Sequence, residues 1–215
     1  MNRILICLVA LIVAASGARS EQEAALPPIG PVLERMLVSY IRPGYDEVNI
    51  AASDLETSLA ELCATPSGEH LEAARSGFRA TVDRWSRMEW LRIGPVMSEN
   101  RLERILFFPD RKGTGRKQVQ AAIASRNESV IKVETLSSQS VAMQGLGALE
   151  FILFGSGSDQ LAGAEASHRC AFARAAMRQS GQSVPGAHRR MAGWRRVDSG
   201  VSCTCGVKSP VQNRC

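Results

Sequence analysis

Aromatic side chains make up only 5% of this 215-residue chain. No stretch alternates apolar and polar residues as a half-buried strand would. Few aromatics beside abundant Ala, Leu and Arg favour helix over sheet. After the first twenty residues there is no second long apolar run. Nothing in the remainder therefore offers the roughly 20 apolar residues that a membrane span needs. Charge is also missing from the body. The formal net charge is +5, but from Met177 onward six Arg and one Lys stand against one Asp, 7 − 1 = +6. That leaves 5 − 6 = −1 for everything before it. A charge-based case for nucleic-acid binding by the folded part fails.

The apolar fraction of 45% is enough for a core. The first residues stand outside it. Arg3 is a short basic region, Ile4 to Ala15 an apolar run, and Ser16-Gly17-Ala18 a small-residue cleavage site. Residues 1–18 read as a signal peptide, with an uncleaved anchor as the alternative. No cysteine follows the run to carry a lipid. Export is the expectation, with no membrane span after cleavage. Cys7 leaves with the signal, and Cys203, Cys205 and Cys215 lie near the end. The body keeps Cys63 and Cys170, expected to form one disulfide in an oxidising compartment, with two buried thiols as the alternative.

Residues 19–31, with Pro27-Pro28 and Gly30-Pro31, read as a linker. Helical spacing then runs from Val32 to Ile41, kinks or breaks at Pro43-Gly44, and resumes from Val48 to Cys63. Ser67 is placed to cap a helix with a stripe of Leu71, Ala74, Phe78, Val82 and Trp85. That helix is expected to run to about Leu91. Shorter helices are expected over Glu99–Phe107 and Lys117–Ser125. A strongly apolar helix is expected from Ser140 to Gly155, and a last one from near Asp159 to Ala176. The fold class is all-α, a helical bundle.

From Met177 the character changes to scattered Arg, Ser, Gly, Pro and Cys without an apolar stripe. Residues 177–215 read as a disordered tail, a small disulfide module or an out-of-frame stretch. The last has a test on paper. Dropping one base at Met177 allows codons for Met177 to Trp194 to read CGNLASLSQELTAAWRA. The Cys and the Trp in it are nearly forced by the two methionine codons. The rest depends on codon choice. Its three leucines and the tryptophan fall at steps of three, four and four, one helix face.

Three segments carry a family likeness: Trp85 to Pro95, Phe107 to Gly113, and Ser140 to Glu150. In this order and spacing they resemble the imelysin-like family of periplasmic and envelope proteins, over about Val32 to Ala176. The resemblance implies a pair of helical bundles. Residues 32–176 would then be the first bundle and the start of the second, in a truncated or frameshifted member. The family signature is Gly-x-His-x-x-Glu on a helix, where His and Glu three apart share a face and can ligate one metal. Gly145 and Glu150 match it here, but Gly147 stands in the histidine position and has no ligating atom. Glu150 is left as the single, weak motif ligand, and pairing with a buried Arg or Lys, Arg92 for example, is the expected role. No cofactor is expected, and a divalent metal is disfavoured.

Two functions follow from the resemblance. One is a non-enzymatic envelope binding or iron-uptake-associated protein. The other is a metallopeptidase, disfavoured because an activated metal-bound water normally needs three protein ligands. His70 and His168 are single histidines on helices. Ser140 has no histidine arranged as in a nucleophilic site. The Gly113-Thr114-Gly115 turn lacks phosphate-loop spacing. Asp110 to Gly113 reads as a plain surface turn, with a helix cap or an anion site as the alternatives.

Overall fold

A computed structural model describes residues 29–163 and 167–186. The signal peptide, most of the linker and residues 187–215 lie outside the described residues. Every regular element described is helical, so the chain is an all-α bundle. Helix α1 spans Ile29–Met36, taking in the last three residues of the expected linker, and belongs to a separate N-terminal unit. From Leu37 onward the helices form the second unit.

That unit begins with a π-helical turn, Leu37–Ile41, leading into α2, Arg42–Ala64. Of the kink or break expected at Pro43-Gly44, no break is made, and the irregularity is the π-helical turn just before it. Pro43 falls in the first turn of α2, where a missing N–H costs no helical hydrogen bond. Gly44 lies where a Cβ would overlap the Met88 sulfur. Thr65-Pro66-Ser67 then turns the chain into α3, Gly68–Ser86. The Ser67 hydroxyl accepts the His70 backbone N–H at 3.1 Å, the expected cap.

Helices α2 and α3 run antiparallel. Glu47 meets Arg84 at 3.2 Å, and the Thr81 hydroxyl donates to the Ala51 carbonyl at 3.1 Å. A Cβ on Gly77 would sit 3.4 Å from the Leu55 backbone. The inward stripes are Tyr45, Val48, Ala52, Leu55, Leu59 and Leu62 against Leu71, Ala74, Phe78, Thr81 and Trp85. Helix α3 ends at Ser86, short of Leu91, although Met88 and Leu91 remain buried.

A 3-10 segment, Gly94–Asn100, precedes α4, Arg101–Ile105, and α5 follows at Thr114–Ala124. A 3-10 turn, Glu128–Val130, and the four-residue α6, Val133–Leu136, come next. Ser140 caps only a 3-10 turn, Val141–Met143. The apolar helix α7 starts later, at Gly145, and ends at Phe154, with Leu146, Ala148, Leu149, Ile152 and Leu153 buried. A 3-10 segment, Ser158–Ala162, precedes α8, Ser167–Ser183.

Helix α8 lies antiparallel along α2. Cys63 and Cys170 form a disulfide with Cα atoms 5.7 Å apart. Glu56 pairs with Arg178 at 2.9 Å, and Asn49 donates to the Pro185 carbonyl at 3.2 Å. The regular helix therefore continues seven residues past Ala176, where irregular chain was expected.

Candidate functional site

The candidate site lies along α7, and the start of that helix is built by its neighbours. Gln144 is fully buried and donates from Nε2 to the carbonyls of Leu136 at 3.0 Å and Gln139 at 2.8 Å. Its Oε1 accepts from Arg104 at 3.0 Å. Gly145 has φ +62°, and a Cβ there would overlap the carbonyl oxygens of Arg104 and Ile105. The motif glycine is thus required by backbone conformation and by crowding. The far end of α7 is held by Arg75, which donates to the Leu153 carbonyl at 2.9 Å and the Ser158 hydroxyl at 3.1 Å.

One side of α7 stays open. Gly147, Glu150, Phe151 and Phe154 line a cavity of about 410 Å³, faced by Phe107, Phe108, Asp110 and Arg116. A Cβ on Gly147 would meet nothing within 4 Å. The histidine position is therefore empty space in the cavity wall, and α7 directs it and Glu150 to the same opening. Glu150 is exposed, and none of the ion pairs among the described residues includes it. The expected pairing with Arg92 is not made, because Arg92 lines a different cavity. The buried arginine nearest this helix, Arg169, lies over the Phe151 ring at 5.9 Å and donates to the Ser156 carbonyl at 2.7 Å. Burial pulls its pKa down, yet the group stays protonated at neutral pH.

The other carboxylate in the cavity is committed. Asp110 accepts the backbone N–H groups of Thr114 at 2.6 Å, Gly115 at 3.0 Å and Arg116 at 3.3 Å. The turn expected to be plain surface is the N-terminal cap of α5. His70 and His168 are bonded elsewhere, to the carbonyls of Thr65 at 2.6 Å and Asn127 at 3.1 Å. Among the described residues no group of three or more His, Cys, Asp or Glu is placed to hold a metal ion. The donor set does not fit the metal that the signature implies. Glu150 is a single oxygen donor, Asp110 is occupied by amides, and Gly147 supplies nothing.

A helical bundle with a short central helix opening a signature-bearing face onto a cavity defines the class. The Imelysin family model, Peptidase M75, matches residues 41–192, and the chain belongs to that family. The match runs past the boundary expected at Ala176. The fold is similar to that of an imelysin-like protein from Psychrobacter arcticum 273-4, at 21% identity and TM-score 0.62. That likeness covers 72% of this chain and 46% of the other, so the chain spans less than half the length of that solved relative. No curated protein matches the sequence. No helix among the described residues is long and apolar enough to cross a membrane.

Proposed function

We infer that this is a non-enzymatic binding protein of the periplasm or cell envelope, acting through the cavity along α7. Association with iron uptake is the finer reading, supported by family membership. The observation that carries the binding role is the pairing of an open cavity with an emptied ligand position. Gly147 faces free space, and Glu150 beside it has no protein partner. Four phenylalanines in the wall suit an apolar or aromatic ligand group, and Glu150 and Arg116 supply one fixed charge of each sign. The peptidase reading lacks the histidine that would place a metal-bound water.

Metal analysis of the purified protein, followed by a generic protease assay, tests this. The expected result is no stoichiometric metal and no cleavage. Gly147→His puts an imidazole three residues before Glu150 on the same face, and the space admits it, so zinc affinity should rise. One tightly held metal per chain in the natural protein, with proteolysis, would reverse the conclusion. No gain in the variant would show that the signature does not map onto these positions.

A further inference from the structure

The cavity along α7 holds a gap that the packing of the bundle does not require. Other glycines inside helices are accounted for by close neighbours. A Cβ on Gly44 would overlap the Met88 sulfur, one on Gly77 would press on the Leu55 backbone, and one on Gly115 would overlap the Ala142 carbonyl oxygen. Gly147, the third residue of α7, has no such neighbour and no left-handed φ. Within a helix, alanine is more stable than glycine. Gly30, Gly68 and Gly181 are open in the same way, but none of them is in the wall of this cavity.

The gap lies among aromatic rings. Phe151 and Phe154 follow Gly147 by one and two turns on the same face of α7, and Phe107 and Phe108 come from the segment between α4 and α5. Phe108 is 73% exposed and Phe154 39%. The Phe154 ring already has Phe78 at 5.4 Å and the guanidiniums of Arg75 and Arg79 at 5.6 and 5.4 Å, and Phe151 has Arg169 at 5.9 Å. With those partners in place, neither ring closes over Gly147. What remains is an apolar slot with bare backbone in one wall, which a flat group can approach more closely than a puckered one. Aromatic neighbours in the other walls favour a ring over an aliphatic group of the same area.

We propose that the α7 cavity takes a planar aromatic group lying on the Gly147 backbone, with its edges against Phe151 and Phe154. The side chain missing at 147 is what admits it. This rests on the binding role proposed above and names the ligand class. Gly147 then sets specificity at some loss of helix stability.

Calorimetry on the full chain with 2-naphthoate and decahydro-2-naphthoate tests the assignment. The two probes share charge and carbon skeleton, and only the first is flat. Naphthoate should bind roughly fivefold more tightly, the scale of an aromatic pair beyond its buried area. Gly147→Ala should weaken naphthoate and Gly147→Leu should abolish its binding. Neither variant should lower the thermal midpoint, because a side chain there enters open space. A glycine required by the backbone would show the opposite, a lowered midpoint. Trp90→Ala, outside this cavity, should leave naphthoate affinity unchanged. Equal affinity for both probes, with both lost in Gly147→Leu, would overturn the aromatic assignment and leave the α7 cavity as a binding site. Binding of neither probe, or affinity lost in Trp90→Ala and kept in Gly147→Leu, would overturn the assignment together with the binding role of the cavity. A lowered midpoint in Gly147→Ala would overturn the specificity role of Gly147.

Discussion

The two ends of α8 pack along the same partner, α2, with different chemistry. From Cys170 to Ala176 the buried positions are Cys170, Phe172, Ala173, Ala175 and Ala176, which are apolar apart from the disulfide. From Met177 to Pro185 they include Gln179, Ser180 and Ser183. The Ser183 hydroxyl turns back to the Gln179 carbonyl at 2.9 Å, a local bond that any helix position could make. Beneath this end, Tyr45 is 1% exposed and its hydroxyl has no partner. Burial is therefore set by the path of the helix, and in the second half the side chains do not match it.

The largest expected effect tests the well-matched half. The Cys63–Cys170 bridge closes a loop of 107 residues. In the chain-entropy model such a loop contributes about 4–5 kcal/mol. Cys63→Ser with Cys170→Ser should lower unfolding free energy by that order in denaturant titration. A change below about 1 kcal/mol would mean that α8 is held by its packing and not by the bridge.

The next prediction tests the mismatched half. The shifted reading of the gene from Met177 places leucine at positions 180 and 183, and both are buried here, under serines. We propose on this ground that the residues after Ala176 are read out of frame and that the natural helix continues with an apolar stripe. The family match to residue 192 spans the junction, so the nucleotide sequence must decide. Leucine in the shifted frame requires that Ser180 and Ser183 both be encoded TCT. Any other serine codon at either place, or a resequenced gene that keeps the present frame, removes the proposal. In the protein, Ser180→Leu with Ser183→Leu should raise stability by about 2–3 kcal/mol, the scale for burying two apolar side chains in place of hydroxyls. Unchanged or reduced stability would show that α8 cannot accept those side chains against α2.

Much of the molecule was legible in its residues, for local reasons. The stripes of α2 and α3, the Ser67 cap and the disulfide each follow from spacing or from cysteine number. What was missed depends on neighbours. Pro43 signals a break, but the preceding turn absorbs it as a π-helix. Gly145 matches the signature glycine, and only the carbonyls of Arg104 and Ile105 show why it must be one. Glu150 was expected to pair because a carboxylate on an apolar helix usually does. The cavity beside it depends on the Phe107–Asp110 segment, far away in sequence. The length of α8 was misjudged because Gln179, Ser180 and Ser183 carry no apolar signal although they lie on the buried face.

Tyr45 gives a smaller and pH-dependent contrast. Burial pushes its phenol up to about 12 from 10.0. A raised pKa in the folded state means that the unfolded chain loses its proton first. The contribution of the neutral phenol is full below pH 10 and falls as pH rises through 10 to 12, by about 2–3 kcal/mol at most. Tyr45→Phe should abolish that alkaline loss and add about 1 kcal/mol at neutral pH by removing an unpaired buried hydroxyl. An alkaline unfolding profile identical in the variant would assign the transition to other groups.

The smallest expected effect concerns Glu72 on α3, where polar groups are placed on the surface and are satisfied. Glu72 accepts from Arg79 at 2.9 Å and lies 3.8 Å from Arg75. The Arg79 hydrogen bond, followed by the charges of Arg79 and Arg75, holds its carboxyl below the usual glutamate range. Both guanidiniums also stand over the Phe154 ring, at 5.4 and 5.6 Å. A lowered folded-state pKa means that the contribution is present above the unfolded glutamate pKa and disappears as pH falls through the folded value. The group is fully in solvent and screened, so Glu72→Gln should shift the thermal midpoint at pH 7 less than any change at α8. The shift should shrink further in high salt and vanish at acid pH, where the natural side chain is protonated as well. A loss as large as that of the disulfide variant, or one insensitive to salt, would show that the Glu72–Arg79 pair holds α7 in place and is not a solvated surface contact.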